Sequence, residues 1–175
     1  MPMICSVDKL KNVDGATVKL DFAVEKSEAD EKTELVLAEG DLTFVGQMEN
    51  KDRVITITGE VACVLQGSCD RCGDDVTTKI SCDFEESFSN LEEKADDEAE
   101  REEEIIHFFE GDVIDLLPYV EQAIFLDMPM KTLCREDCKG LCPECGINLN
   151  ENECSCDKSP IDPRFAVLAD LLNKG

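Results

Sequence analysis

Several residue types are scarce in this chain, and each scarcity narrows what the protein can be. There is no Trp, one Tyr and one His among 175 residues, and aromatic residues make up 5%. The core is therefore expected to be aliphatic, and a hydrophobic fraction of 42% is enough for one domain of ordinary size. The longest apolar run falls far short of the roughly 20 residues that a membrane-spanning helix needs, so no membrane association is expected.

Basic residues are also scarce. The chain has 17 Lys and Arg residues against 41 Asp and Glu residues, which gives a formal net charge of -24. Nucleic-acid affinity depends mainly on Lys and Arg that neutralise phosphates, so a surface of this charge repels a phosphate backbone. A partner with a basic surface is the easier inference.

The N-terminal residues have no basic start followed by an apolar run, so no secretory signal is expected. We therefore predict a cytoplasmic protein, in which thiols stay reduced. The chain nevertheless has 11 cysteines. Clustered cysteines in a reducing compartment indicate metal ligands before they indicate disulfides.

The first half of the chain has the pattern of a β domain. Alternating or β-branched stretches predict strands at about 18–25, 35–37, 42–48, 53–65 and 76–88. A helix is predicted over about 115–126, because Asp115 suits an N-cap and Pro118 then falls in the first turn. Its predicted apolar face consists of Leu116, Leu117, Val120 and Ile124.

These elements predict an α+β fold, an antiparallel β domain with one or two packed helices and a C-terminal Cys-rich zinc knuckle. The β-rich domain is expected over residues 1–130, and it includes an acidic, solvated loop at about 90–104. Residues 131–175 are expected to form a zinc-binding C-terminal segment. This segment ends in a short helix that Asp162 caps and Pro163 opens.

Eight of the cysteines have the spacing of metal ligands. A C-x-x-C turn followed by Gly lets two sulfurs converge on one ion, and this pattern occurs at Cys69/Cys72 and at Cys142/Cys145. Cys154 and Cys156 can complete the second quartet, which leaves Cys134 and Cys138 to complete the first. We therefore expect two zinc ions, and the first would join the two halves of the chain. Cys5, Cys63 and Cys82 are interpreted as ordinary buried or partly buried thiols.

Other uses of these thiols stay open at this stage. A single zinc ion with spare thiols is the main rival, and disulfides, an iron–sulfur cluster or a dithiol redox motif at Cys69/Cys72 are further alternatives. The pattern predicts no enzyme, because both quartets would be closed and would leave no position for a reactive water. The one histidine, His107, is interpreted as a partly exposed structural residue.

Four stretches of the chain together resemble a known family. They are Cys69-Asp70-Arg71-Cys72, the run from Met128 to Cys134, the run from Lys139 to Asn150, and Asp162-Pro163-Arg164-Phe165-Ala166-Val167-Leu168. These stretches resemble the YceD family, the bacterial large-subunit ribosomal RNA accumulation proteins, in its cysteine-rich Gram-positive and chloroplast branch. The resemblance covers essentially the whole chain and implies a role in the synthesis or processing of large-subunit ribosomal RNA.

The resemblance supplies a process, and the charge indicates how the chain would take part in it. The first hypothesis is a non-enzymatic acidic adaptor that holds a basic ribosomal protein or assembly factor. The second is a zinc protein that contacts ribosomal RNA directly through cations near the thiols. Those cations are Lys131, Arg135, Lys139, Lys158 and Arg164. A thiol or zinc redox sensor is a third hypothesis.

Overall fold

Four long strands with alternating burial form the centre of the fold. The computed structural model describes residues 3–90 and 106–156. Its elements, in chain order, are β1 (Ile4–Ser6), β2 (Thr17–Val24), α1 (Lys26–Lys32), β3 (Leu42–Lys51), β4 (Val54–Ser68), β5 (Asp75–Ser89), β6 (Ile106–Phe108), β7 (Val113–Asp115) and α2 (Leu117–Asp127).

The main sheet has the strand order β2-β3-β4-β5-β6, and a small second sheet pairs β1 with β7. Strands β2 to β5 are joined as antiparallel neighbours, and the β4–β5 pairing runs from Val54↔Ser89 to Ser68↔Asp75. The expectation of an antiparallel β domain is correct for β2 to β5 and wrong for β6, which pairs with β5 in parallel. Strand β6 has three residues and returns from a long excursion of the chain rather than from a hairpin, so no local pattern could indicate its direction.

One face of the main sheet is buried and the other is open. Phe44, Ile57 and Phe84 alternate with exposed or half-exposed residues, as a half-buried sheet requires, and the Phe44 and Phe84 rings meet edge to face at 5.3 Å. Residues of β1, β7 and α2 share one hydrophobic cluster with this buried face. The other face has no such cover among the described residues.

Helix α2 packs on the buried face close to β5. It begins at Leu117, two residues later than predicted, because Asp115 still belongs to β7 and Leu116 takes the N-cap position. Asp115 nevertheless acts at this helix start, since its Oδ1 accepts the Leu117 N–H at 3.1 Å. All four residues of the predicted apolar face are buried, and Tyr119 meets Phe88 edge to face at 5.0 Å.

The remaining differences from the sequence predictions are small. The stretch 35–37 is not a strand, since only Leu37 forms an isolated bridge, with Leu65. Helix α1 and the short strands β1, β6 and β7 were not predicted. The predicted acidic loop beyond Asn90 and the predicted terminal helix lie outside the described residues. The proposed domain bounds stay a prediction.

No helix within residues 3–90 and 106–156 combines the length and apolar character needed to cross a bilayer. The cytoplasmic location stays a prediction.

Candidate metal centres

The first candidate centre starts in the turn between β4 and β5. After Ser68 ends β4, Cys69 and Cys72 lie on a tight turn that Gly73 closes with φ +77°, and the Gly73 N–H donates to the Cys69 carbonyl at 2.9 Å. Backbone N–H groups point at the Cys69 sulfur, first that of Cys134 and then those of Arg71 and Cys72. These hydrogen bonds lower the pKa of Cys69 to about 6. The turn therefore favours a thiolate at Cys69, and the thiolate is the form that binds metal.

The second arm of this centre comes from the segment after α2. Thr132 is paired with Asp70 in both directions, because its carbonyl accepts the Asp70 N–H at 2.8 Å and its N–H donates to Asp70 Oδ2 at 2.6 Å. Arg71 extends the contact, since its Nη1 donates to the Cys138 carbonyl at 2.8 Å and its own carbonyl accepts the Leu141 N–H at 3.1 Å. These hydrogen bonds join the arm to the turn in addition to the four thiols.

Site 1, defined as Cys69, Cys72, Cys134 and Cys138, brings four sulfurs together. All four lie within 4.8 Å of one another, with Cys69–Cys138 at 3.8 Å and Cys72–Cys134 at 3.6 Å. Four sulfurs bound tetrahedrally at ~2.3 Å have neighbours about 3.8 Å apart, so the spacing suits one zinc-sized ion. Cys69, Cys72 and Cys138 are buried, and Asn150 Nδ2 donates to the Cys138 sulfur at 3.3 Å.

Site 2, defined as Cys142, Cys145, Cys154 and Cys156, repeats the same turn. The Gly146 N–H donates to the Cys142 carbonyl at 2.8 Å, and φ of Gly146 is +73°. Backbone N–H groups of Cys145 and Glu144 lower the pKa of Cys142 to about 7. These donors stand two and three residues after the first cysteine, as Arg71 and Cys72 do after Cys69.

The sulfurs of site 2 also converge, but in a more open setting. They lie within 4.8 Å of one another, with Cys145–Cys154 at 3.5 Å and Cys142–Cys154 at 3.3 Å. Cys142 is buried, whereas Cys145 is exposed and the other two are half-buried. Site 2 is thus the more accessible of the two candidate centres.

Two asparagines that sequence reasoning missed connect the sites. Asn148 Nδ2 donates to the Asp74 carboxylate at 3.2 Å, and Asn150 Oδ1 accepts the Lys139 N–H at 2.8 Å. Because Asn150 also donates to the sulfur of Cys138, the loop of site 2 supports site 1. The sequence signal that could have indicated this role is the pair of asparagines in Asn148-Leu149-Asn150, shortly after the Cys142/Cys145 turn.

The donor set fits a structural metal ion. Both quartets consist of thiols alone and are closed, which is the composition of structural zinc sites, and a soft all-sulfur set excludes Mg²⁺ and Ca²⁺. The predicted eight ligands are the residues that the structure brings together. Their binding of metal, and zinc in particular, stays a prediction.

Among the described residues, the three other cysteines belong to neither quartet. Burial raises the pKa of Cys5 to about 12 and that of Cys63 to about 11. The pKa of Cys82 is raised as well, first by burial and then by the carboxylates of Asp127 and Asp83. Their position sets these three thiols apart and their pKa does not, because the pKa values of four quartet cysteines are also raised. Those four are Cys72, Cys134, Cys154 and Cys156.

His107 has ordinary structural partners. Its Nε2 lies 2.9 Å from Glu86 Oε2, and its ring contacts Tyr119 at a centroid distance of 4.5 Å. Among the cations predicted to touch RNA, Lys131, Arg135 and Lys139 lie along the second arm of site 1. Lys158 and Arg164 lie outside the described residues.

Comparison with known proteins gives a family and several relatives. Residues 57–172 match the family described as large ribosomal RNA subunit accumulation protein YceD. The chain is 33% identical over 126 residues to an uncharacterized protein of Mycobacterium tuberculosis, a match that covers 72% of this chain and 59% of that protein. The chain thus spans less than two thirds of that relative's length.

The chain is also similar to two further proteins, one of which carries the name of this family. The chloroplastic large ribosomal RNA subunit accumulation protein YCED homolog 1 of Arabidopsis thaliana is 26% identical to this chain over 145 residues. The match covers 69% of this chain and 45% of the Arabidopsis protein. The uncharacterized protein YlbN of Bacillus subtilis is 35% identical to this chain over 74 residues. The match covers 42% of this chain and 43% of YlbN. No solved structure matches the chain.

Proposed function

The chain belongs to the YceD family of large ribosomal RNA subunit accumulation proteins, and from that premise we propose that it is a non-enzymatic zinc-binding adaptor in ribosome assembly. It holds a basic ribosomal protein or assembly factor until that partner meets ribosomal RNA. The observation that carries the adaptor role is the net charge of -24. Opposite charge speeds association and selects partners, and like charge keeps RNA away.

The two thiol quartets support a structural use of zinc. Each would give an ion four protein ligands and no open position, so the ion could not activate a water molecule. Site 1 joins the β4–β5 turn to the segment after α2, and site 2 organises its own loop. In this proposal the ions hold the C-terminal segment in place and do no chemistry.

The surface retains most of its negative charge, which supports a basic partner. Among the described residues, the ion pairs are Lys11–Asp112, Lys32–Glu28, His107–Glu86 and Arg135–Asp137. Most carboxylates therefore face solvent without a cation. Around site 1 the cations alternate with acids, and Arg135 itself is 3.7 Å from Asp137, which makes the second arm a poor phosphate-binding surface.

Partner preference is the direct test of the adaptor role. The zinc-loaded protein is titrated with purified basic ribosomal proteins and, in parallel, with large-subunit ribosomal RNA fragments at several salt concentrations. We expect saturable binding to at least one basic protein that weakens as salt rises, and no binding to RNA alone. A pulldown from cell lysate with mass spectrometry then identifies the partner.

The opposite preference would refute the adaptor role. Binding to RNA with a steep salt dependence, together with indifference to basic proteins, would support the RNA-contact hypothesis instead. A heat-denatured sample serves as the control, because unspecific attraction between charges survives unfolding whereas a folded docking surface does not.

A further inference from the structure

Strand β5 has a free edge. It pairs with β4 along its whole length, and within residues 3–90 and 106–156 its pairing with β6 on the other side covers Ser87–Ser89. From Asp75 to Glu86 the outer edge of β5 therefore has no strand partner among the described residues. An edge of this kind presents unpaired backbone N–H and C=O groups to any extended chain that approaches it.

A groove runs along this edge. It measures about 440 Å³, and its lining residues come from β5 on one side and α2 on the other. The β5 side is the continuous run 81–86, and consecutive residues of a strand point to opposite faces. Six consecutive residues can line one groove only where the backbone edge itself forms the wall. The α2 side is one helix face, which consists of Gln122, Ala123, Leu126 and Asp127.

The two walls differ in chemistry. Asp83 and Glu85 point to the open face of the sheet and are exposed, and no ion pair neutralises either one within the described part of the chain. On the α2 side Leu126 is 81% exposed and gives this wall an apolar surface. The lining contains no Lys or Arg.

Asp127 adds to the negative potential at an unfavourable position. It ends α2, where the helix dipole favours a cation, and α2 has no basic residue in its last turn. Asp127 and Asp83 both raise the pKa of the Cys82 thiol, after the larger effect of burial, so both carboxylates act on the groove. A positive group bound here would relieve this repulsion.

We propose that the β5 edge is a docking site for an extended, lysine- or arginine-rich segment of a protein partner, which adds to the sheet as a strand. Strand addition takes its affinity from main-chain hydrogen bonds and its specificity from alternate side chains. An added strand would place every second side chain beside Asp83 and Glu85, and the others above Ala123 and Leu126. The segment that fits therefore alternates basic with apolar residues.

Charge selects this occupant over two others. A second copy of the chain carries the same net charge of -24 and is repelled. The chain's own residues just before β6 include Glu102, Glu103 and Glu104, and a strand extended from β6 in the same register would bring Glu102 beside Asp83 and Glu104 beside Glu85. The inference rests on the proposed adaptor function and identifies the surface that carries it.

The test uses the zinc-loaded full chain and two synthetic peptides of equal composition. One peptide alternates Lys and Val, and the other has the same residues in two blocks. The groove variant combines Asp83→Asn, Glu85→Gln and Asp127→Asn. The matched control combines Asp8→Asn, Asp21→Asn and Glu49→Gln, which are exposed carboxylates outside the groove lining and give the same change in net charge.

We expect the alternating peptide to bind more tightly than the block peptide, and the groove variant to lose about tenfold or more in affinity while the control changes little. Hydrogen exchange should show new protection in residues 81–86 when the alternating peptide binds. Equal weakening in both variants would overturn the docking site and leave the adaptor function standing, because it would show attraction to the whole surface.

Three other results would also overturn the docking site. The first is protection, in the free chain, of those amides of residues 81–86 that point away from β4, which would mean that the chain fills its own groove or pairs with a second copy. The second is protection of the same residues by a uridine-rich RNA. The third is the absence of binding by either peptide, even if basic ribosomal proteins still bind.

Discussion

At the scale of single residues, hydrogen bonds to sulfur and to backbone determine how the thiols are arranged. The two C-x-x-C-G turns share the same donors and the same closing bond from their glycines, Gly73 and Gly146. Asp70 and Arg71, inside the first turn, provide the contacts to the second arm. The residues between the cysteines therefore do as much as the cysteines to bring the arms together.

Gly140 gives the sharpest test at this scale. Its φ is +73°, and a Cβ there would lie 2.9 Å from the Arg71 carbonyl oxygen. The second arm therefore passes close to the Cys69–Cys72 turn at this point. Gly140→Ala should lose about 1–3 kcal/mol from backbone strain and more from the clash, and site 1 should retain less zinc. Chemical denaturation and metal analysis measure the two effects.

Gly111→Ala is the matched control for this substitution. Gly111 has φ +82°, and nothing lies within 4 Å of its added Cβ, so this variant reports backbone strain alone. Its zinc content should equal that of the unmodified chain. Equal stability losses and equal zinc contents in both variants would show that the contact with Arg71 is unimportant.

At the scale of elements, the sheet depends on a close approach between β3 and β4. Gly46 and Gly59 face each other in the register, on the buried side and beneath the ring of Phe44. No local sequence pattern indicates this contact, because it depends on which residues become neighbours across two strands. Phe44 covers the space that two side chains would otherwise fill.

Gly59→Ala should therefore destabilise the sheet. The added Cβ would lie 2.6 Å from the Val45 carbonyl oxygen and 2.8 Å from Gly46 Cα, and neither backbone atom can move freely. We expect a loss of about 1–3 kcal/mol in the free energy of unfolding, as for other overpacked positions. Urea denaturation monitored by circular dichroism measures it.

Gly67→Ala, in the same strand, is the control. Nothing lies within 4 Å of a Cβ at Gly67, and Ala reduces the entropy of the unfolded chain, so this variant should be neutral or more stable by up to about 1 kcal/mol. If Gly59→Ala and Gly67→Ala had the same stability, the close approach of β3 and β4 would not restrict the size of the side chain at position 59.

At the scale of the whole molecule, two contacts join the C-terminal segment to the sheet. Helix α2 is anchored by its own buried residues, Leu117, Val120 and Ile124. Among the described residues of the segment after it, Cys138 and Cys142 are the buried apolar ones and Leu133 packs half-buried against site 1; beyond these the segment depends on the bonds around site 1. Site 1 is thus the connection that holds residues 131–142 in place, and its loss should leave α2 in position.

Single cysteine substitutions should separate the two sites. The unmodified chain should retain about two equivalents of zinc, and Cys72→Ser and Cys154→Ser about one each. Cys72→Ser should lose hydrogen-exchange protection in residues 69–74 and 131–142, because four ligands no longer hold these segments together. Cys154→Ser should lose protection mainly in residues 142–156.

Protection of α2 serves as the internal control for both variants. It should persist, since buried side chains anchor the helix to the sheet. One zinc equivalent in the unmodified chain, or identical exchange patterns in the two variants, would show that the eight thiols work as a single centre.

The sequence by itself determined whatever depends on neighbours along the chain. The alternation along β2 to β5 and the apolar face of α2 follow from strand and helix periods, and the two knuckles follow from the spacing of Cys and Gly. Counting thiols then paired the knuckles with their partners. Each of these features repeats within a few residues, so local composition indicates it.

The tertiary structure alone decided the contacts that distant parts of the chain make. The parallel direction of β6, the facing glycines and the groove between β5 and α2 all depend on the path that the chain takes between elements. The three residues of β6 have no period to detect, and a groove belongs to two elements at once. Side-chain packing and strand register determine such features, and neither is written in any single stretch of the sequence.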